Sequence, residues 1–154
     1  MRTQRLGRLA PLCSCASIQP MTEDVQRSEV VHISILSPPT AVIGFLRDVY
    51  NWKSWAPWIR TIERSSERDW VLDTEIGTMK LHFVEPNPFG VLDHVVALAS
   101  GVRAFNAMRV VPNGRGSELI MVVFQRPDAT SEEFERDVAA VRADFARLKV
   151  AAEA

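Results

Sequence analysis

Two hydrophobic periods divide the chain. From Glu29, Val31, Ile33 and Ile35 alternate with His32 and Ser34, the two-residue period of a half-buried strand. That strand stops at Ser37-Pro38-Pro39, because prolines cannot continue a ladder yet suit the first turn of a helix. Ala41, Val42, Phe45, Leu46 and Val49 then recur at helical spacing, which predicts a helix over 39–50. Asn51 to Trp58 reads as a second short helical turn or loop and holds three of the four tryptophans. Strand-length runs follow at 60–66, 69–76, 78–85, 91–99, 102–111 and 117–126, broken by Gly77, Pro86 to Gly90, Ser100-Gly101 and Pro112 to Gly116. Connections this short join antiparallel neighbours, so the runs predict a meander. The period then changes: Thr130 and Glu133 form a capping-box pair, and Phe134, Val138, Val141, Phe145 and Leu148 fall four and three apart. One amphipathic helix is predicted over 131–152, ~33 Å long at ~1.5 Å per residue.

Residues 1–27 lack either period. The first twenty carry Arg2, Arg5 and Arg8, no acid, and Pro11 and Pro20, so they read as a flexible tail before one domain at 28–154, with Met21 a candidate translation start. A secretory signal fits less well, since Pro11 breaks the short apolar run. At 154 residues the chain is long enough to carry a core without staples. Its net charge is -1, with 18 Lys and Arg against 19 Asp and Glu and no basic block, which argues against a nucleic-acid partner. No run approaches the ~20 apolar residues of a membrane span. Cys13 and Cys15 are too close for an unstrained disulfide and too few for zinc, which points to a reducing, cytoplasmic setting. No phosphate loop, zinc-protease motif, nucleophile elbow or ligand cluster is present in the sequence, so neither cofactor nor metal is expected.

The element order, with the phrase Ile33-Ser34-Ile35-Leu36-Ser37-Pro38-Pro39 followed by Val42, Leu46, Asp48, Tyr50, Trp52, Trp55 and Pro57, resembles the START/Bet v 1-like superfamily of helix-grip, polyketide cyclase and lipid-transport proteins. The resemblance covers about residues 29–152. It implies an α+β helix-grip fold: a curved seven-stranded antiparallel sheet around the C-terminal helix, with a cavity between them opening near the short helices. The NTF2-like cone fits worse, because it begins with helices and lacks a long C-terminal one. Members of the resembled superfamily differ in what they do. The first expectation is therefore a binder of a hydrophobic or aromatic small molecule. The alternatives are a cofactor-independent cyclase, dehydratase or isomerase with His94 as acid or base, and a non-catalytic protein-interaction or stress-response module.

Alternation assigns side chains to faces. Met79, Leu81 and Phe83 oppose Lys80 and His82, which makes His82 an outward, solvated residue; Trp70, Leu72 and Ile76 oppose Asp73 and Glu75. In 91–99 both faces are apolar, and His94 travels with Leu92, Val96 and Leu98. Turned inward, a neutral His94 would orient a ligand carbonyl or transfer protons; the alternatives are a satisfied core histidine or an exposed one. Asp93 falls on the opposite face, so the two form no catalytic dyad. Asn106 shares a face with Ala104, Met108 and Val110, as an amide for a ligand oxygen or for a bond across the sheet. Strand 117–126 is apolar on both faces, as a well-covered strand is. Trp52, Trp55 and Trp58 either border the cavity mouth or cement the short helices to the sheet. The expected ligand-lining set is Trp55, Trp58, Leu81, Phe83, His94, Asn106, Met108, Val138, Val141 and Phe145, with His94 the candidate catalytic group.

Overall fold

The structure, a computed structural model, describes residues 25–154. The expected tail, with Met21 and both cysteines, lies outside the described residues up to position 24. The chain runs through β1 (Ser28–Ile35), α1 (Pro39–Arg47), a short 3-10 helix (Val49–Ser54), β2 (Ile59–Arg64), β3 (Asp69–Thr74), β4 (Gly77–Phe83), β5 (His94–Leu98), β6 (Arg103–Asn113), β7 (Gly116–Phe124) and α2 (Ser131–Glu153). All strands join one seven-stranded antiparallel sheet in the order β1-β7-β6-β5-β4-β3-β2. β2 to β7 form the predicted meander, and β1 closes on β7 by pairing Ser28 with Phe124 through to Ile35 with Ser117.

Local chemistry explains the breaks. Pro39 opens α1, and the expected helix over 39–50 divides at Asp48, whose carboxylate accepts from the Tyr50 amide and starts the 3-10 helix. Leu46 and Trp52 are buried on either side of this corner, with Trp52 Nε1 donating to the Leu46 carbonyl at 2.8 Å. β3 ends at Thr74, so Ile76 does not point inward as its parity suggests. It stands in the turn at 73% exposure, and Thr74 fills the inward place. Gly90 allows a close crossing: with φ at 70° its amide carbonyl accepts from Val110, and a Cβ there would lie 2.0 Å from the Val110 oxygen. Thr130 and Glu133 make the full capping box at the start of α2.

The core lies between one sheet face and the stripe Phe134, Val138, Phe145 and Leu148 of α2. α2 lies closest to β1 and to the 3-10 helix.

Candidate functional site

Register sets three rows across the inner sheet face. Trp70, Leu81, Val96 and Ala104 form one; Leu72, Met79 and Leu98 a second; Phe83, His94 and Asn106 the third. No inward position of β3 to β6 carries a charged side chain. The rows are closed at one end and more open at the other. Phe83, Leu92, Met108 and Val110 are buried, whereas Val96, Leu98, Ala104 and Asn106 on the sheet, and Val141 on α2, are only half-buried.

His94 lies at the closed end, 4% exposed, among aromatic rings: Phe83 at 5.2 Å and Trp52 at 5.7 Å between centroids. Its Nδ1 is 3.0 Å from the Leu92 carbonyl oxygen. A carbonyl only accepts, so Nδ1 carries the proton and donates, which leaves Nε2 of the neutral ring as an acceptor. Nε2 has no hydrogen-bond partner among the described residues, although it is not one of their fully enclosed, partnerless atoms. Burial pushes the imidazole pKa down to about 4, against the smaller opposing effects of the Leu92 carbonyl and the Asp93 charge. At neutral pH this ring is uncharged and has no proton at Nε2 to give. With the proton on Nδ1, Nε2 offers a lone pair, which suits a donor group rather than a ligand carbonyl.

The Leu92 carbonyl is free to fix this tautomer because Asp93 replaces it in the sheet. Leu92 and Met108 face each other as a narrow antiparallel pair, in which two reciprocal backbone bonds are normal. The Leu92 amide donates to the Met108 carbonyl at 2.9 Å, but the Met108 amide donates instead to Asp93 Oδ1, also at 2.9 Å. On the outer face the same carboxylate pairs with Arg109. Asp93 and His94 point to opposite sides of the sheet; Asp93 takes the Met108 amide, and the Leu92 carbonyl thereby left over accepts from His94.

Asn106 stands directly across from His94 on β6, half-buried, and its amide makes no hydrogen bond among the described residues. The remaining expected residues divide. Leu81, Phe83, Met108, Val138 and Phe145 are buried core, and Val141 is half-buried on the inner face of α2. Trp52 and Trp55 are buried against each other with centroids 5.1 Å apart. Trp58 is half-buried and its Nε1 donates to Asp144 on α2 at 3.2 Å, while Arg147 Nε donates to the Trp55 carbonyl at 2.9 Å and pairs with Asp144. Trp58 and the Trp55 carbonyl therefore fasten the segment that follows the 3-10 helix to α2. Among the described residues, Nε1 of Trp55 and of Trp70 are enclosed without an acceptor.

The expected residue set omitted Val96, Leu98 and Ala104, which continue the inner rows, and Asp93. The alternation of 91–99 contained the first two, and an acid within reach of Arg109 on the next strand was the available signal for the last. Among the described residues, surface grooves lie elsewhere. One of about 300 Å³ is edged by Ile35, Arg115 and Lys149. Another, about 620 Å³, runs along Ala143, Ala146 and Val150 of α2. His82 is outward, as its parity implies, and its Nδ1 lies 2.6 Å from Asp69 Oδ1, whose pKa is lowered first by the Ser66 hydroxyl and then by His82. His32 meets Glu118 on the same outer side, where the Ser34 hydroxyl leads in lowering the carboxyl pKa. Among the described residues, no three metal-ligating side chains converge.

No family model matches the sequence, and no curated protein does. The fold, however, is shared by many solved structures. A START superfamily protein from Mycobacterium smegmatis superposes with a TM-score of 0.68 at 12% identity, over 82% of this chain and 97% of that one. The Aha1 dimer from Colwellia psychrerythraea gives 0.67 at 13% identity, over 82% and 96%. Ara h 8.0201 gives 0.62 at 12%, over 82% and 97%. The chain has the START/Bet v 1-like helix-grip fold, as its element order and its Pro-Pro and tryptophan phrase imply.

Proposed function

We propose that this protein binds a hydrophobic or aromatic small molecule between the inner sheet face and α2. The observation that carries this reading is the half-buried apolar surface of Val96, Leu98, Ala104 and Val141 beside two polar groups, His94 Nε2 and the Asn106 amide, that have no protein partner among the described residues. Apolar surface kept from full burial is recovered when a ligand covers it, at about 25 cal/mol per Å². A few convergent polar groups then set orientation. The fold shared with a START superfamily protein supports the same reading. Acid-base catalysis by His94 is less well supported. Proton transfer is most efficient when the catalytic pKa lies near the working pH, and burial has moved this one to about 4.

Native mass spectrometry of the purified protein tests the proposal, followed by titration with a hydrophobic fluorescent probe. A stoichiometric small-molecule adduct, or saturable probe uptake that Val141→Glu abolishes in a folded variant, is the expected result. Bare protein that takes up no probe, or uptake unchanged by Val141→Glu, would move the reading to an interaction module.

A further inference from the structure

The inner face also specifies what kind of molecule it receives, an inference that rests on the binding reading above. Four observations bear on it. The Leu92 carbonyl holds the His94 proton on Nδ1, so the atom left over is a pure acceptor. Asn106, in register with it on the next strand, brings an amide with both donor and acceptor. No inward position on β3 to β6 is charged. The Arg47 guanidinium, over the Phe83 ring at 5.7 Å, is engaged by the carbonyls of Val84, Glu85 and Val91.

We propose that the ligand is an uncharged, largely apolar molecule bearing a hydroxyl group that donates to His94 Nε2, with a neighbouring oxygen served by the Asn106 amide. A ligand carbonyl or ether at the same place would meet the Nε2 lone pair and find no donor there. A carboxylate would be buried without a counter-charge, which is costly in an apolar site. Selectivity therefore runs from hydroxyl, through the matching ether, to the anion. Asp93 is a positioning residue in this scheme, since its carboxylate satisfies the Met108 amide and so leaves the Leu92 carbonyl to fix the tautomer.

The test is a binding titration of the full chain with 1-naphthol, 1-methoxynaphthalene and 1-naphthoate. Wild type is expected to prefer the naphthol over the methoxy compound by about tenfold, the worth of one hydrogen bond in an apolar site. In His94→Phe the preference should fall toward unity. Because that variant removes a buried group, a second readout uses wild type alone: the ¹⁵N resonance of His94 Nε2 should be that of an unprotonated nitrogen and should move on adding naphthol but not the methoxy compound. Equal affinity for naphthol and its methyl ether, tighter binding of the naphthoate, or a protonated Nε2 would overturn the hydroxyl assignment while leaving the binding site standing. If none of the three compounds binds, the binding reading itself fails and the assignment fails with it.

Discussion

The Asp93 carboxylate occupies, opposite the Met108 amide, the place of the backbone carbonyl of Leu92. In a regular ladder Leu92 and Met108 would exchange two bonds; here the second runs from Met108 to Asp93 Oδ1, and the displaced Leu92 carbonyl accepts from His94 Nδ1. Removing the carboxylate leaves the Met108 amide either unsatisfied or reclaiming the Leu92 carbonyl from His94. Asp93→Ala is therefore expected to cost about 1–3 kcal/mol in urea denaturation, the cost of a buried donor left unpaired. Asp93→Asn keeps an acceptor oxygen and should cost less. Amide exchange at Met108 should accelerate in the alanine variant alone; unchanged protection there would refute the substitution of side chain for backbone.

Much of the fold was legible because it rests on period and punctuation. The alternation at Val31, Ile33 and Ile35, the Pro38-Pro39 break and the Thr130 to Glu133 cap each have a single physical reading, and each element lies within a few residues of its expected place. The site was legible only as far as face. Alternation placed His94 with Leu92, Val96 and Leu98, but both faces of that run are apolar, and nothing in the order of residues says which way a carbonyl turns. Which imidazole nitrogen holds the proton depends on that turn. Ile76 misled for a related reason, since parity holds only while the strand continues and β3 stops at Thr74.

His94 also makes stability depend on pH in a particular window. Its folded pKa lies at about 4, below the ordinary 6.5, so between these values the unfolded chain binds the proton and the native chain does not. Stability must then rise with pH through the window and fall as pH drops from 6.5 toward 4, by on the order of 3 kcal/mol. Asp69 and Glu118, with carboxyl pKa values lowered from 3.8 and 4.5, also lose stability on acidification, but their windows open only below those values. Urea midpoints at pH 5, 6 and 7, measured for wild type and for His94→Phe, isolate this histidine. Wild type should lose stability across this range, and His94→Phe should show a much flatter profile; parallel profiles would place the proton uptake elsewhere.

Phe83 packs the closed end of the interior. Its ring meets His94 at 5.2 Å and Trp52 edge-on at 6.1 Å, with the Arg47 guanidinium over it at 5.7 Å. Phe83→Ala leaves a cavity beside three fixed groups and is expected to destabilise by about 3–5 kcal/mol, whereas Phe83→Leu, which retains more of the volume, should cost less. Thermal unfolding compares the two. A loss below ~1 kcal/mol for the alanine variant would mean that the ring is not an enclosed part of the packing.

Asp144 ties the tryptophan segment to α2 by accepting from Trp58 Nε1 at 3.2 Å and pairing with Arg147, which in turn donates to the Trp55 carbonyl. The tether joins two segments distant in sequence, so its loss should free the Trp58 side chain before it unfolds the domain. Each bond is partly exposed, and Asp144→Ala should cost only about 1 kcal/mol. Fluorescence separates the local effect from the global one. Trp52, Trp55 and Trp70 are all buried, so the solvent-sensitive part of the emission comes from Trp58. Asp144→Ala should shift emission to the red and raise acrylamide quenching, with far-UV circular dichroism unchanged. Asp144→Asn retains an acceptor for the indole while losing the charge that holds Arg147, and should fall between the two. Emission in Asp144→Ala identical to wild type would show that Trp58 is held by packing alone and that the indole bond to α2 contributes nothing to its position.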